Sequence, residues 1–170
     1  MNALSRVLGH ESIEGRVRIE RPVAEIFDFY RDFSNLPRFL GDVMSVEATG
    51  HETSRWTIQG PARMKIQWET EVIEEEPNAV IRYRTTSMHG LDTTWNVYFS
   101  VADSAGSTEV REVMDLPLGK IGMIGLTLVG KPPADEIAAN LRRLKELMET
   151  GRVTDTSHAV PGKFETARSP

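Results

Sequence analysis

From Val43 to Leu118 the chain alternates apolar and polar residues with a period of two, and this run limits the possible folds more than any other feature. Successive side chains on a strand point to opposite faces, so sustained alternation means half-buried strands with one wet and one dry side. Arg63 to Glu75 is the clearest case: Met64, Ile66, Trp68, Thr70 and Val72 share one face, and Lys65, Gln67, Glu69 and Glu71 the other. Val43 to Thr49, Glu52 to Gln59 and Val80 to Ser87 alternate in the same way. A strand carrying Thr93, Trp95, Val97, Phe99 and Val101 on one face follows, then Thr108 to Leu118. Turns at Gly50, Gly60-Pro61, Pro77-Asn78, His89-Gly90 and Asp103 to Ser107 separate them, which is the pattern of an antiparallel meander. Glu11 to Glu20, with Ile13, Val17 and Ile19 apolar, adds a first strand weakened by Gly15, for seven in all.

The period changes twice to that of a helix. After Pro22, Val23, Ile26, Phe27 and Tyr30 form one apolar face, and Ser34 is placed to cap a second short helix through Leu36, Phe39 and Leu40 that ends at Gly41. Past Pro132-Pro133, with Asp135 and Glu136 in the first turns, Ile137, Leu141, Leu144 and Met148 make one stripe opposite Arg142, Arg143 and Lys145. Gly151 stops that helix. A sheet with one dry face must be covered, and this stripe is the only large apolar helical face available. The expected fold is α+β: a seven-stranded curved antiparallel sheet wrapped around a long C-terminal helix, with two short helices between strands 1 and 2. A chain of 170 residues suits one domain, expected over residues 1–151, with the polar, period-free residues 152–170 as a mobile tail.

Several function classes drop out. The chain has no cysteine, which removes disulfides, thiolate nucleophiles and Cys-ligated zinc. A net charge of −5 argues against nucleic acid as a partner, because phosphate binding needs a clustered positive field. Met1 to Ser12 lacks the apolar core of a signal peptide, and Ile121 to Val129 is too short to span a bilayer. The expectation is a cytoplasmic, soluble protein without stable membrane insertion; its oligomeric state stays open. His10, His51, His89 and His158 are scattered, with no metal-ligand spacing, and no nucleophile elbow is present. Gly119, Gly122, Gly125 and Gly130 match neither phosphate-loop nor dinucleotide spacing and suit a flexible lid. No metal or cofactor is expected.

The order strand, helix, helix, six strands, long helix resembles the START-like, or polyketide cyclase/dehydrase (SRPBCC), superfamily with its helix-grip fold. The segment "RPVAEIFDFYRDFSNLPRFL" resembles the family's opening strand-to-helix passage. Its middle strands are matched by "VMSVEATGHETSRWTIQGPARMKIQWETEVIEEEPNAVIRYRTTS", with Trp56, Gly60-Pro61, Trp68, Pro77-Asn78 and Ile81 in place. "STEVREVMDLPLG" and "KPPADEIAANLRRLKELMETG" resemble its last strand and closing helix. The resemblance covers roughly residues 10–155. It implies an internal cavity, in a superfamily that includes lipid and sterol carriers, quinone-binding proteins, aromatic polyketide cyclases and chaperone co-factors.

Parity then supplies candidate ligand-binding residues: Trp56, Ile58, Met64, Ile66, Trp68, Tyr83, Trp95, Val97, Glu112 and Met114, with Phe39 and Met123 closing one end. Any one of these taken singly reads first as ordinary core; the set, with all three tryptophans inward, points to a pocket. Glu112 is the exception, a carboxylate on the apolar parity of Thr108, Val110, Met114 and Leu116. Inward and dry, it would have a raised pKa and serve as a general acid or ligand anchor; a bulge turning it out, or an arginine partner, would make it structural. Tyr83 is the second weak catalytic candidate, its phenol able to orient a ligand carbonyl or hydroxyl. Three functions follow: binding or transport of a small hydrophobic molecule (lipid, quinone, isoprenoid or polyketide); a cyclase or dehydratase working without metal or nucleotide cofactor; or a protein-interaction or co-chaperone module.

Overall fold

A computed structural model describes residues 10–86, 93–117 and 133–165. Seven strands make one antiparallel sheet: β1 (His10–Ile19), β2 (Val43–Ala48), β3 (Thr53–Gln59), β4 (Lys65–Glu76), β5 (Val80–Thr85), β6 (Thr94–Val101) and β7 (Thr108–Pro117). Their order is β1-β7-β6-β5-β4-β3-β2, so β2 to β7 form the expected meander and β1 returns to pair with the last strand. β1 and β2 therefore sit at opposite edges. The connection between them crosses the sheet as α1 (Val23–Arg31) and a 3-10 turn (Phe33–Arg38), burying Ile26, Phe27, Tyr30, Phe33 and Leu36 in the core. The 3-10 turn is capped by Asp32, whose carboxylate accepts from Ser34 N (3.1 Å) and Ser34 Oγ (2.6 Å). The expected Ser34 cap is thus two residues off, because Asp32 holds the extended conformation that a cap requires.

The C-terminal helix, α2 (Pro133–Thr150), lies against β1. Gly15 explains how closely. A Cβ there would stand 2.7 Å from Ile137 Cγ2 and 3.1 Å from Leu141 Cδ1, so the glycine that weakens β1 as a strand is what lets α2 seat on it. Ile137, Leu141, Leu144 and Leu147 are buried with Ile19, Val97, Phe99 and Val110 in one cluster. The solvent face of the sheet carries ion pairs instead, among them Arg55–Glu69 (3.2 Å), Arg84–Glu71 (2.9 Å) and Arg82–Glu74 (2.6 Å). Exposed pairs of this kind contribute little each and mark the wet side.

Two expectations about the C-terminus are corrected. Arg143 is fully buried rather than solvated: Nε donates to Phe39 O (2.7 Å), Nη1 to Ser157 O (2.5 Å) and Nη2 to Asn140 Oδ1 (2.5 Å). Asn140 Oδ1 also accepts from Gly41 N (2.9 Å), tying α2 to the end of the 3-10 segment. The stretch beyond Gly151, expected as a mobile tail, is held across 153–163. Arg142 pairs with Asp155 (3.0 Å), Val160 is buried and bonds Gly41 O through its N–H (2.9 Å), and Lys163 Nζ donates to the Leu40 and Val43 carbonyls. Polar composition hid this because the strap docks through backbone groups rather than an apolar stripe.

Candidate functional site

The cross-strand registers place the inward residues in rows. Val46, Trp56 and Trp68 share one row over β2, β3 and β4. Val72, Tyr83, Trp95, Met114 and Ile13 share another from β4 to β1. Between them lies a band of small hydroxyl residues, Ser54, Thr70 and Thr85, all buried. Tyr83 is the centre of the wall. Its ring stacks on Trp95 (6.1 Å, planes 10° apart) and on Trp56 (5.8 Å, 29°), and Phe33 meets it edge-on at 5.0 Å. Trp56 satisfies its indole N–H on Ser54 Oγ at 2.9 Å, so the ring is fixed with its face inward.

The dry side is not uniform. Ile81, Val97 and Val110 have no exposure, whereas Ile66, Trp68, Val72 and Trp95 are half-buried. Of the remaining candidates, Ile58 and Met114 are buried, and Phe39 is buried against Tyr30 (5.7 Å) and Phe29 (6.3 Å), inside the helical crossing. Met64 is a correction: it is 51% exposed. β4 begins only at Lys65, and Ala62 and Arg63 adopt positive φ (54° and 61°), so the alternation does not extend back through Met64. Met123, the Gly119 to Gly130 segment and His89 lie outside the described residues.

Glu112 is 1% exposed. The β1/β7 and β6/β7 registers run through it without a shift, and its cross-strand neighbours are Gly15 and Val97. Among the described residues, neither a register shift nor an arginine partner is found at Glu112. Its Oε2 has no hydrogen-bond partner among the described residues, and burial alone pushes its pKa up to about 8. At neutral pH the carboxyl is therefore protonated, a donor as well as an acceptor. Sequence parity missed the second polar group here. Tyr30, on the apolar face of α1, is fully buried; the Tyr83 phenol lies beside its hydroxyl without completing a hydrogen bond to it. Burial first, and then the nearby Glu112 charge, hold the phenols of Tyr30 and Tyr83 well above their usual pKa, so both stay neutral. The only sequence signal for Tyr30 was a hydroxyl at the fourth position of an otherwise apolar helix face.

Elsewhere, a surface groove of about 640 Å³ is lined by Met44, Gln59, Arg63, Val160 and Lys163, at the β2–β3 edge and four strands from β7. Among the described residues no cluster of three or more His, Asp or Glu is placed to hold a metal, and no helix is long and apolar enough to cross a membrane.

A family model described as "Polyketide cyclase / dehydrase and lipid transport" matches residues 10–149. No curated protein sequence matches. Among solved structures, a protein from Deinococcus radiodurans is 26% identical, with a TM-score of 0.65 over 83% of this chain and 98% of that one. One from Thermus thermophilus is 19% identical, with a TM-score of 0.67 over 83% and 99%. The Zhui aromatase/cyclase from a Streptomyces species is 16% identical, with a TM-score of 0.59 over 85% and 99%.

Proposed function

The chain belongs to the polyketide cyclase / dehydrase and lipid transport family, and from that premise we propose that it binds a small hydrophobic molecule against the concave face of the sheet. The observation carrying this reading is the split of that face. Under α2 the apolar side chains are fully covered, while Ile66, Trp68, Val72 and Trp95 keep accessible surface beside the Trp56–Tyr83–Trp95 stack. Apolar area left wet forgoes about 25 cal/mol per Å², which a guest of matching shape recovers. Lipids, quinones, isoprenoids and polyketides all fit that chemistry. The test has two arms: mass spectrometry of an organic extract of the purified protein, and titration of its tryptophan fluorescence with apolar aromatic probes. A co-purifying apolar molecule, or saturable quenching, supports the reading; an empty extract together with unchanged fluorescence overturns it.

One observation favours a second, catalytic reading. Glu112 is a protonated carboxyl in an apolar interior, the state a general acid needs, and Tyr83 lies within reach of its charge. The fold is shared with an aromatase/cyclase, and holding a reactive polyketone in one shape accelerates its ring closure by proximity alone. Under this reading Glu112→Gln binds a polyketone normally and turns it over far more slowly; equal rates remove the assignment.

A further inference from the structure

A buried polar atom without a partner is rare in a folded protein, and among the described residues Glu112 Oε2 and the Tyr30 hydroxyl are two such atoms. Glu112 Oε2 comes from β7 and the Tyr30 hydroxyl from α1, and Glu112 is close enough for its charge to oppose ionisation of that phenol. Packing does not explain the pair. Glu112 is flanked across its strands by Val97 and by Gly15, where Ile137 and Leu141 of α2 fill the space a side chain would take, and the polar groups its charge reaches are the neutral phenols of Tyr30 and Tyr83. Contrast Trp56, on the same face, whose single N–H is matched by Ser54.

We propose that Glu112 and Tyr30 form a two-donor seat for one carbonyl oxygen, so that the ligand is a conjugated or aryl ketone whose rings lie along the Trp56–Tyr83–Trp95 stack. A carbonyl oxygen has two lone pairs and accepts both O–H groups at once. Burial keeps both groups protonated at neutral pH, and a neutral carboxylic acid in an apolar site donates as a phenol does. A hydrocarbon guest would leave both donors unmatched. An amine would instead require Glu112 ionised. The two donors hold the oxygen more strongly as negative charge grows on it, which suits ketones that enolise. This inference rests on the hydrophobic-ligand reading and adds the chemical class.

Three probes of similar shape separate the two claims: acetylnaphthalene, isopropylnaphthalene and naphthylethylamine, each titrated by tryptophan quenching at neutral pH. The expected order is ketone tightest, on the order of tenfold over the hydrocarbon, the worth of roughly one net hydrogen bond. Glu112→Leu and Tyr30→Phe should each narrow the ketone's advantage over the hydrocarbon, and the double variant should abolish it. Glu112→Gln, whose amide still donates, should keep part of the preference. Equal binding of ketone and hydrocarbon to the wild-type protein overturns the seat while leaving the hydrophobic site standing. An amine that binds tightest makes Glu112 a counter-ion and also overturns it. Failure of all three probes removes the site itself. The wild-type comparison decides the matter even where a variant does not fold.

Discussion

Arg143 on α2 and Glu112 on β7 are both buried ionisable residues, and their surroundings differ. Arg143 is ringed by acceptors: the carbonyls of Phe39 and Ser157, the Asn140 side chain, and the ring of Phe164 at 5.1 Å. These groups come from three separate stretches of chain, so the guanidinium works as a clasp closing the strap and the 3-10 segment onto the helix. Glu112 has Gly15 and Val97 as its cross-strand neighbours and keeps an oxygen unmatched among the described residues. A satisfied buried polar group specifies structure; an unsatisfied one is a standing cost, which the proposed ligand would offset.

The largest expected effect comes from breaking the clasp. Arg143→Leu strands the carbonyls and Asn140, and should cost about 3–5 kcal/mol in urea unfolding, the usual range for removing one partner of a buried charged network. Glu112→Gln should act in the opposite direction and depend on pH. Between 4.5 and about 8 the folded protein holds a proton that the unfolded chain has released, so wild-type stability falls as pH rises through that window and levels off above it. The slope is about 1.4 kcal/mol per unit. The variant lacks it, and should gain on the order of 4 kcal/mol relative to wild type between pH 5 and pH 9. A constant difference across that range would mean Glu112 has a partner after all.

Gly15→Ala sharpens the comparison from the backbone side. Its Cβ would press on Ile137 and Leu141, lifting α2 from β1 at a cost of about 1–3 kcal/mol in thermal or urea unfolding. Water admitted beside Glu112 should then draw its pKa down toward the ordinary value. The smallest effect belongs to Tyr30→Phe, which removes an unpartnered buried hydroxyl and should stabilise the fold by about 1 kcal/mol in urea unfolding. A loss of stability instead would place Tyr30 with Arg143, as a group whose partners hold the fold together.

What the sequence made legible follows from periodicity. Two-residue alternation gave the strands, their number and the inward side of Trp56, Trp68, Trp95 and Glu112, because β3, β4, β6 and β7 keep parity through those positions. It failed where parity stops, at Met64 just before β4. Arg143 was unreadable because, Asn140 apart, the groups that accept its hydrogen bonds are backbone carbonyls 12 to 104 residues away in the chain. Tyr30 looked like one more apolar helix residue, since only the docking of α1 over β6 brings its hydroxyl beside a carboxyl on β7. The strand order was likewise out of reach, because β1 pairs with β7 across nearly the whole length of the domain.

The most direct test is a carbon-detected NMR titration of the Glu112 side-chain carboxyl in the ligand-free protein, assigned against the Glu112→Gln variant. A single midpoint near pH 8 is expected, with the carboxyl neutral at pH 7. A midpoint near 4.5 would mean the group is solvated or paired, and the contrast with Arg143 on which this account stands would be gone.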